Sequence, residues 1–86
     1  MEVNSLIKII KAKLAKKIII NNIKIEDKSF LHKKHQNFNK DKFHIKLTIE
    51  SSELKKVNSI EANRKIYDIL KEEMNRSIHS LQIIIL

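Results

Sequence analysis

No cysteine occurs anywhere in the 86 residues, and that absence constrains the chain more than anything it contains. A domain of this size is near the lower limit at which a single apolar core suffices. Neither a disulfide staple nor a thiolate-bound metal is available to support it. The fold must come from packing alone. Hydrophobic residues at 42% and charged residues at 33% are the mix of an ordinary globular domain, so one domain over residues 1–86 is expected. The longest apolar runs, "IIIL" and "III", are far short of the roughly 20 residues that cross a bilayer as a helix. Charges interrupt the amino end and no small-residue cleavage site follows. It reads as neither signal peptide nor anchor, and a cytoplasmic location is expected.

Periodicity supplies the elements. In "NSLIKIIKAKLAKKI", Val3, Leu6, Ile7, Ile10 and Leu14 share one helical face among lysines, which predicts a helix over 4–17 with Asn4 or Ser5 as its cap. Asn21-Asn22 marks a turn into a short strand at 23–28, with Ile23 and Ile25 on one side. Residues 29–41 show no period and are rich in Lys, Asn and His, so a mobile loop is expected there. "KFHIKLTIE" alternates strictly. Phe43, Ile45, Leu47 and Ile49 face one way; His44, Lys46, Thr48 and Glu50 face the other, the pattern of a half-buried strand at 43–50.

Ser51 or Ser52 is placed to cap a single turn, "SELK". A longer helix is predicted over 59–74 with Ile60, Ile66, Tyr67, Leu70 and Met74 inward, and Asn58 with Glu61 resembles a capping box. The last strand is "IHSLQIIIL", at 78–85. The order is helix, strand, strand, short helix, helix, strand. An α+β domain with helices on one face of a three-stranded mixed sheet is the economical solution.

Net charge is +8, and all of the surplus lies in the first half. Residues 1–46 hold twelve lysines and four acids, whereas residues 47–86 hold six basic and six acidic groups. A one-sided basic surface is expected, either simply solvated or able to meet phosphate. Its aromatic complement is thin: Phe30, Phe38, Phe43 and Tyr67 are the only four. Phe43 and Tyr67 read as core, which leaves two loop phenylalanines for stacking on bases.

Chemistry rests with four histidines, His32, His35, His44 and His79. A neutral imidazole nitrogen binds Fe, Zn or Cu. His79 opens a strand and so stands on rigid scaffold. His32 and His35 share the lysine-rich loop "FLHKKHQNF", and His44, on the polar face of its strand, is expected to face solvent. The plain alternatives are a partly exposed strand residue for His79 and a solvated loop for the other pair. There is no His-Glu-x-x-His, no phosphate loop and no nucleophile with a neighbouring base, so no enzyme is expected.

The order of elements and four strings resemble the BolA-like family over roughly residues 23–82. "EDKS" followed by "HKKH" is similar to its Asp-Glu-Ser with one or two histidines after it. "HIKLTIES" is similar to its His-Phe-x-Val-x-x-x-Ser strand, "ANRKIYDILKEEM" to its Arg-His-Arg-x-x-Tyr helix, and "IHSL" to its Ile-His-Ala-Leu. The chain departs at Ala62-Asn63-Arg64, where the family histidine is missing, and at Leu54-Lys55-Lys56, where the family has Phe-x-Gly.

The resemblance implies a fold similar to the second type of KH domain. It does not imply KH-style RNA binding, since that clamp uses a Gly-x-x-Gly loop and this chain has no glycine. It implies a heterodimer with a monothiol glutaredoxin in which a [2Fe–2S] cluster is shared, the partner's cysteine and glutathione supplying sulfur. The metal ligands carried over are His79 and one of His32 or His35. Counting forward from "EDKS" favours His32; counting back from His44 favours His35. Alone, the protein is expected to hold no cluster and to be a monomer or weak homodimer. The competing implication is a DNA-binding transcriptional regulator that uses the basic half. A third is an adaptor that binds a partner without metal.

Overall fold

The structure is a computed structural model and describes residues 2–29 and 42–86; the loop expected at 29–41, with His32 and His35, lies outside the described residues from 30 to 41. Chain order is α1 (Val3–Lys17), β1 (Asn22–Asp27), β2 (Phe43–Glu50), α2 (Ser52–Lys55), α3 (Ser59–Ile69), α4 (Lys71–Arg76) and β3 (Ile78–Ile85). The sheet is ordered β1-β2-β3. β1 runs antiparallel to β2 and β3 parallel to it, so the sheet is mixed. None of the described residues has a positive φ. Among these residues, a chain without glycine makes no turn that requires one.

Burial follows the alternation. Ile45, Leu47 and Ile49 are buried and form one cluster with Leu6, Ile10 and Leu14 of α1 and with Ala62, Ile66 and Leu70. Each of these leucines and isoleucines, fully buried, contributes roughly 1.5–3 kcal/mol. The register sets Ile25 and Ile23 of β1 beside Leu47 and Ile49, and Ile83 and Ile85 of β3 on their other side. All the helices that bury side chains therefore lie on one sheet face. His44, Lys46, Thr48 and Glu50 are only half-buried on the other.

Three expectations need correction. α1 begins at Val3 with Glu2 as its cap residue and no side-chain capping bond, rather than at Asn4 or Ser5. Val3 packs against the core cluster, and that contact extends the helix by a residue. The helix expected over 59–74 is two, α3 and α4, separated at Leu70, whose φ of −97° and ψ of 18° leave the helical region. Leu70 stays fully buried across the bend, and no glycine or proline marks it. Finally, the inward face of α3 is Ala62 and Ile66, continued by Leu70 and Glu73. Ile60 is 69% exposed and Tyr67 40% exposed. At 3.6 residues per turn, six positions place Ile60 about 120° from Ile66, off the buried stripe.

The caps on the second half are as the sequence suggests. Ser51 Oγ accepts the Leu54 N–H at 3.2 Å, and Asn58 Oδ1 accepts the Glu61 N–H at 2.8 Å. Ser51 also donates to the Ile19 carbonyl at 2.6 Å, while the Ile19 N–H donates to Glu53 Oε1 at 3.2 Å. The segment after α1 is thus sewn to α2. The Lys65 ammonium binds the same Glu53 carboxylate.

Lys65 first, and then the Ile19 N–H, hold the Glu53 carboxyl below its ordinary value of 4.5. A group lowered in the folded state stabilises above its unfolded value, and that contribution is lost as pH falls through the folded one. Glu53→Gln is therefore expected to lower the urea midpoint near neutral pH. It should also narrow the gap from wild type as pH drops below 4.5. Urea titrations of both proteins across that range check it, and an unchanged gap would show that Glu53 titrates normally.

Candidate functional site

The apolar residues of the last strand do not keep one period. Leu81, Ile83 and Ile85 are two apart and pair with Ile45, Leu47 and Ile49, yet Ile78 is also buried, at 1% exposure. Three positions separate Ile78 from Leu81, so strict alternation cannot turn both inward. The strand resolves the conflict with an irregularity: Phe43 pairs with Ile78, and His44 pairs with Ser80. One extra residue, His79, is accommodated on β3, as in a β-bulge. His79 and Ser80 are both exposed and both lie opposite His44.

The two imidazoles meet there. The ring centroids of His44 and His79 are 4.8 Å apart and the planes are inclined by 57°. His44 Nδ1 shares a 2.6 Å hydrogen bond with Ser80 Oγ. His44 is also fixed through its backbone. Its N–H donates to Ser29 Oγ at 3.0 Å, and its carbonyl accepts the Lys28 N–H at 2.7 Å. Asp27 Oδ1 in turn accepts the Ser29 N–H at 2.9 Å, a short Asx turn that ends β1. The "EDKS" string is therefore a clasp on His44. On the far side, the Phe43 N–H donates to the Ser77 carbonyl at 2.8 Å, and Tyr67 Oη donates to the Leu81 carbonyl at 3.1 Å. Helix α3 thus holds β3 just beyond the irregularity.

His79 is placed as expected, exposed on rigid scaffold. His44 is not the plain solvent-facing residue of the sequence expectation: it is half-buried and packed on His79. His32 and His35 lie outside the described residues, but the chain leaves them at Ser29 and returns at Lys42, both beside His44. Among the described residues no three or more His, Cys, Asp or Glu come together as a metal site. The donor set of this part of the chain suits one imidazole contribution to a centre completed by other ligands. Sequence reasoning missed His44, Ser80 and Ser29; the odd spacing between Ile78 and Leu81 was the available signal.

Lys8, Lys11, Lys16 and Lys17 of α1 are exposed, and so are Lys24, Lys55, Lys56, Arg64, Lys65, Lys71 and Arg76, so among the described residues the exposed cations are spread over several elements. Lys13 is different. It pairs with Glu73 at 2.8 Å and Glu72 at 3.7 Å, and the Glu73 hydrogen bond raises its pKa above the ordinary 10.5. That pair ties α1 to α4 and removes one cation from the exposed set. Among the described residues no helix is long and apolar enough to cross a membrane.

Residues 14–86 match the family described as BolA-like protein. The chain belongs to that family. The BolA-like chain is also 35% identical over 77 residues to the DNA-binding transcriptional regulator BolA of Haemophilus influenzae, with 90% of this chain and 72% of that protein covered. Its fold is similar to the BolA domain of SufE1 from Arabidopsis thaliana, with a TM-score of 0.75, 29% identity, and 88% of this chain and 84% of that one covered. BolA1 from the same plant gives a TM-score of 0.74 at 26% identity, covering 88% and 83%.

Proposed function

We propose that this protein is a regulatory partner, not an enzyme, that donates a histidine to a [2Fe–2S] cluster shared with a monothiol glutaredoxin and glutathione in a cytoplasmic heterodimer. The observation that carries the reading is His79: an exposed imidazole that lies, with exposed Ser80, between buried Ile78 and Leu81, offered outward by a strand irregularity. Exposure on a rigid edge is what a ligand for a partner-held centre needs, because the partner must reach it without unfolding either chain. A chain with no cysteine leaves all thiolate ligation to the other side. One of His32 or His35 is the second donor in this reading, since both lie on the segment that starts and ends beside His44. A neutral imidazole in place of a thiolate raises the potential of such a centre.

The test is titration of a cluster-loaded monothiol glutaredoxin with this protein, followed by visible circular dichroism. New bands that saturate near one equivalent are expected. A spectrum that stays that of the glutaredoxin through excess protein would overturn the proposal.

A second reading has its own support. The Haemophilus relative is named a DNA-binding transcriptional regulator, and Lys8, Lys11, Lys16 and Lys17 of α1 are exposed cations. Phosphate attraction from such cations falls steeply with salt and carries no sequence preference. DNA titrations at rising salt separate the cases: retention of a preferred sequence at physiological salt favours a regulator, and uniform loss favours non-specific attraction.

A further inference from the structure

We propose that His44 is a positioning residue for His79: held by Ser80 and by the end of β1, its ring sets the direction in which the His79 imidazole leaves the sheet. The proposal rests on the cluster-partner reading and deepens it. An exposed histidine on a strand end has three staggered χ1 wells and a roughly two-fold χ2 choice. Left alone it would point several ways, and a partner would have to select one.

Here two linked contacts restrict that choice. His44 cannot shift as a unit, because Ser29 Oγ accepts its N–H at 3.0 Å and Lys28 donates to its carbonyl at 2.7 Å. Its ring cannot turn freely, because Nδ1 shares a 2.6 Å hydrogen bond with Ser80 Oγ. The ring so fixed lies 4.8 Å from that of His79. The strand irregularity is what makes the arrangement possible. It sets Ser80, which holds the wall, and His79, which leans on it, side by side on one face. In regular alternation they would point to opposite faces.

Ordering a ligand before it binds lowers the entropic cost of binding. Restricting His79 to one of about six orientations is worth at most about sixfold in apparent affinity. Loss of the wall is therefore expected to weaken the mixed complex about three- to sixfold without removing the ligand itself.

The experiment compares wild type with Ser80→Ala, His44→Ala, His44→Phe and His79→Ala, and uses Thr48→Ala on the same sheet face as control. In the free protein, side-chain couplings of His79 report its χ1. One dominant rotamer is expected in wild type and Thr48→Ala, and rotamer averaging in Ser80→Ala, His44→Ala and His44→Phe, the last of which keeps a ring but loses its hydrogen bond to Ser80 Oγ. Titration of cluster-loaded monothiol glutaredoxin is then expected to reach its half-point at about three- to sixfold higher concentration in the averaging variants. Ser80→Ala changes an exposed residue and keeps the assay usable if His44→Ala unfolds. Wild-type couplings and half-points in Ser80→Ala and His44→Ala, with the dichroism still lost in His79→Ala, overturn the positioning role and leave the cluster reading standing. Unchanged dichroism in His79→Ala overturns both.

Discussion

His79→Ala is expected to abolish or severely weaken the shared cluster while leaving the fold intact. Loss of an outer-shell hydrogen-bond partner of a metal ligand costs about 10–100-fold in affinity, more than the few-fold expected for the ring packing of His44, so loss of a direct ligand should cost at least that much. The stability side points the other way. His79 is exposed, its side chain packs on the ring of His44, and substitutions at exposed sites typically stay within about 0.5 kcal/mol. The two effects separate cleanly. The variant should show a wild-type urea midpoint, yet with cluster-loaded glutaredoxin its visible dichroism should be missing or decay much faster. His44→Ala should fall between wild type and His79→Ala. A mixed cluster with wild-type spectrum and lifetime in His79→Ala would mean that the strand histidine is structural only.

The second large effect is in the core. Leu47 is fully buried at the middle of the central strand, paired with Ile25 on one side and Ile83 on the other. Truncation to alanine removes the transfer free energy of the side chain and leaves a cavity that two flanking strands cannot close, a cost of about 2–5 kcal/mol. A domain of 86 residues has about 5–15 kcal/mol to lose, and here no disulfide slows unfolding. A fall in melting temperature of at least about 10 °C follows. Ile60→Ala is the informative contrast. Both residues read as core from sequence, but Ile60 is 69% exposed, so its truncation should change stability by no more than about 0.5 kcal/mol. Thermal melts of the two variants check the corrected face of α3, and equal losses would restore Ile60 to the core.

Much of this was legible without coordinates. The strict alternation of Phe43 to Glu50 identified the central strand and its inward residues, because a period of two is specific to strands and reads directly as two faces. The lysine-flanked stripe of Leu6, Ile10 and Leu14 did the same for α1. The caps at Ser51 and Asn58 were visible because a cap is a contact between residues three apart, and local geometry alone decides it. His79 was legible as solvent-reachable and rigidly held, since it opens the last strand ahead of the apolar run.

What the sequence could not decide depended on partners far along the chain. Whether α3 turns Ile60 or Ala62 inward is settled by how it docks on α1 and the sheet, and the bend at Leu70 carries no glycine or proline to announce it. Asp27 and Ser29 read as a family string, but that they clasp His44 depends on where β1 meets β2. The same holds for the imidazole pair. His44 and His79 are 35 positions apart, and each alone reads as a polar residue on its own strand. They meet only because Ile78 and Leu81 must both be buried, which forces the extra residue into β3 and turns His79 and Ser80 toward the same face. That demand belongs to the packed sheet: a register exists only between two strands, so neither strand's own pattern contains it.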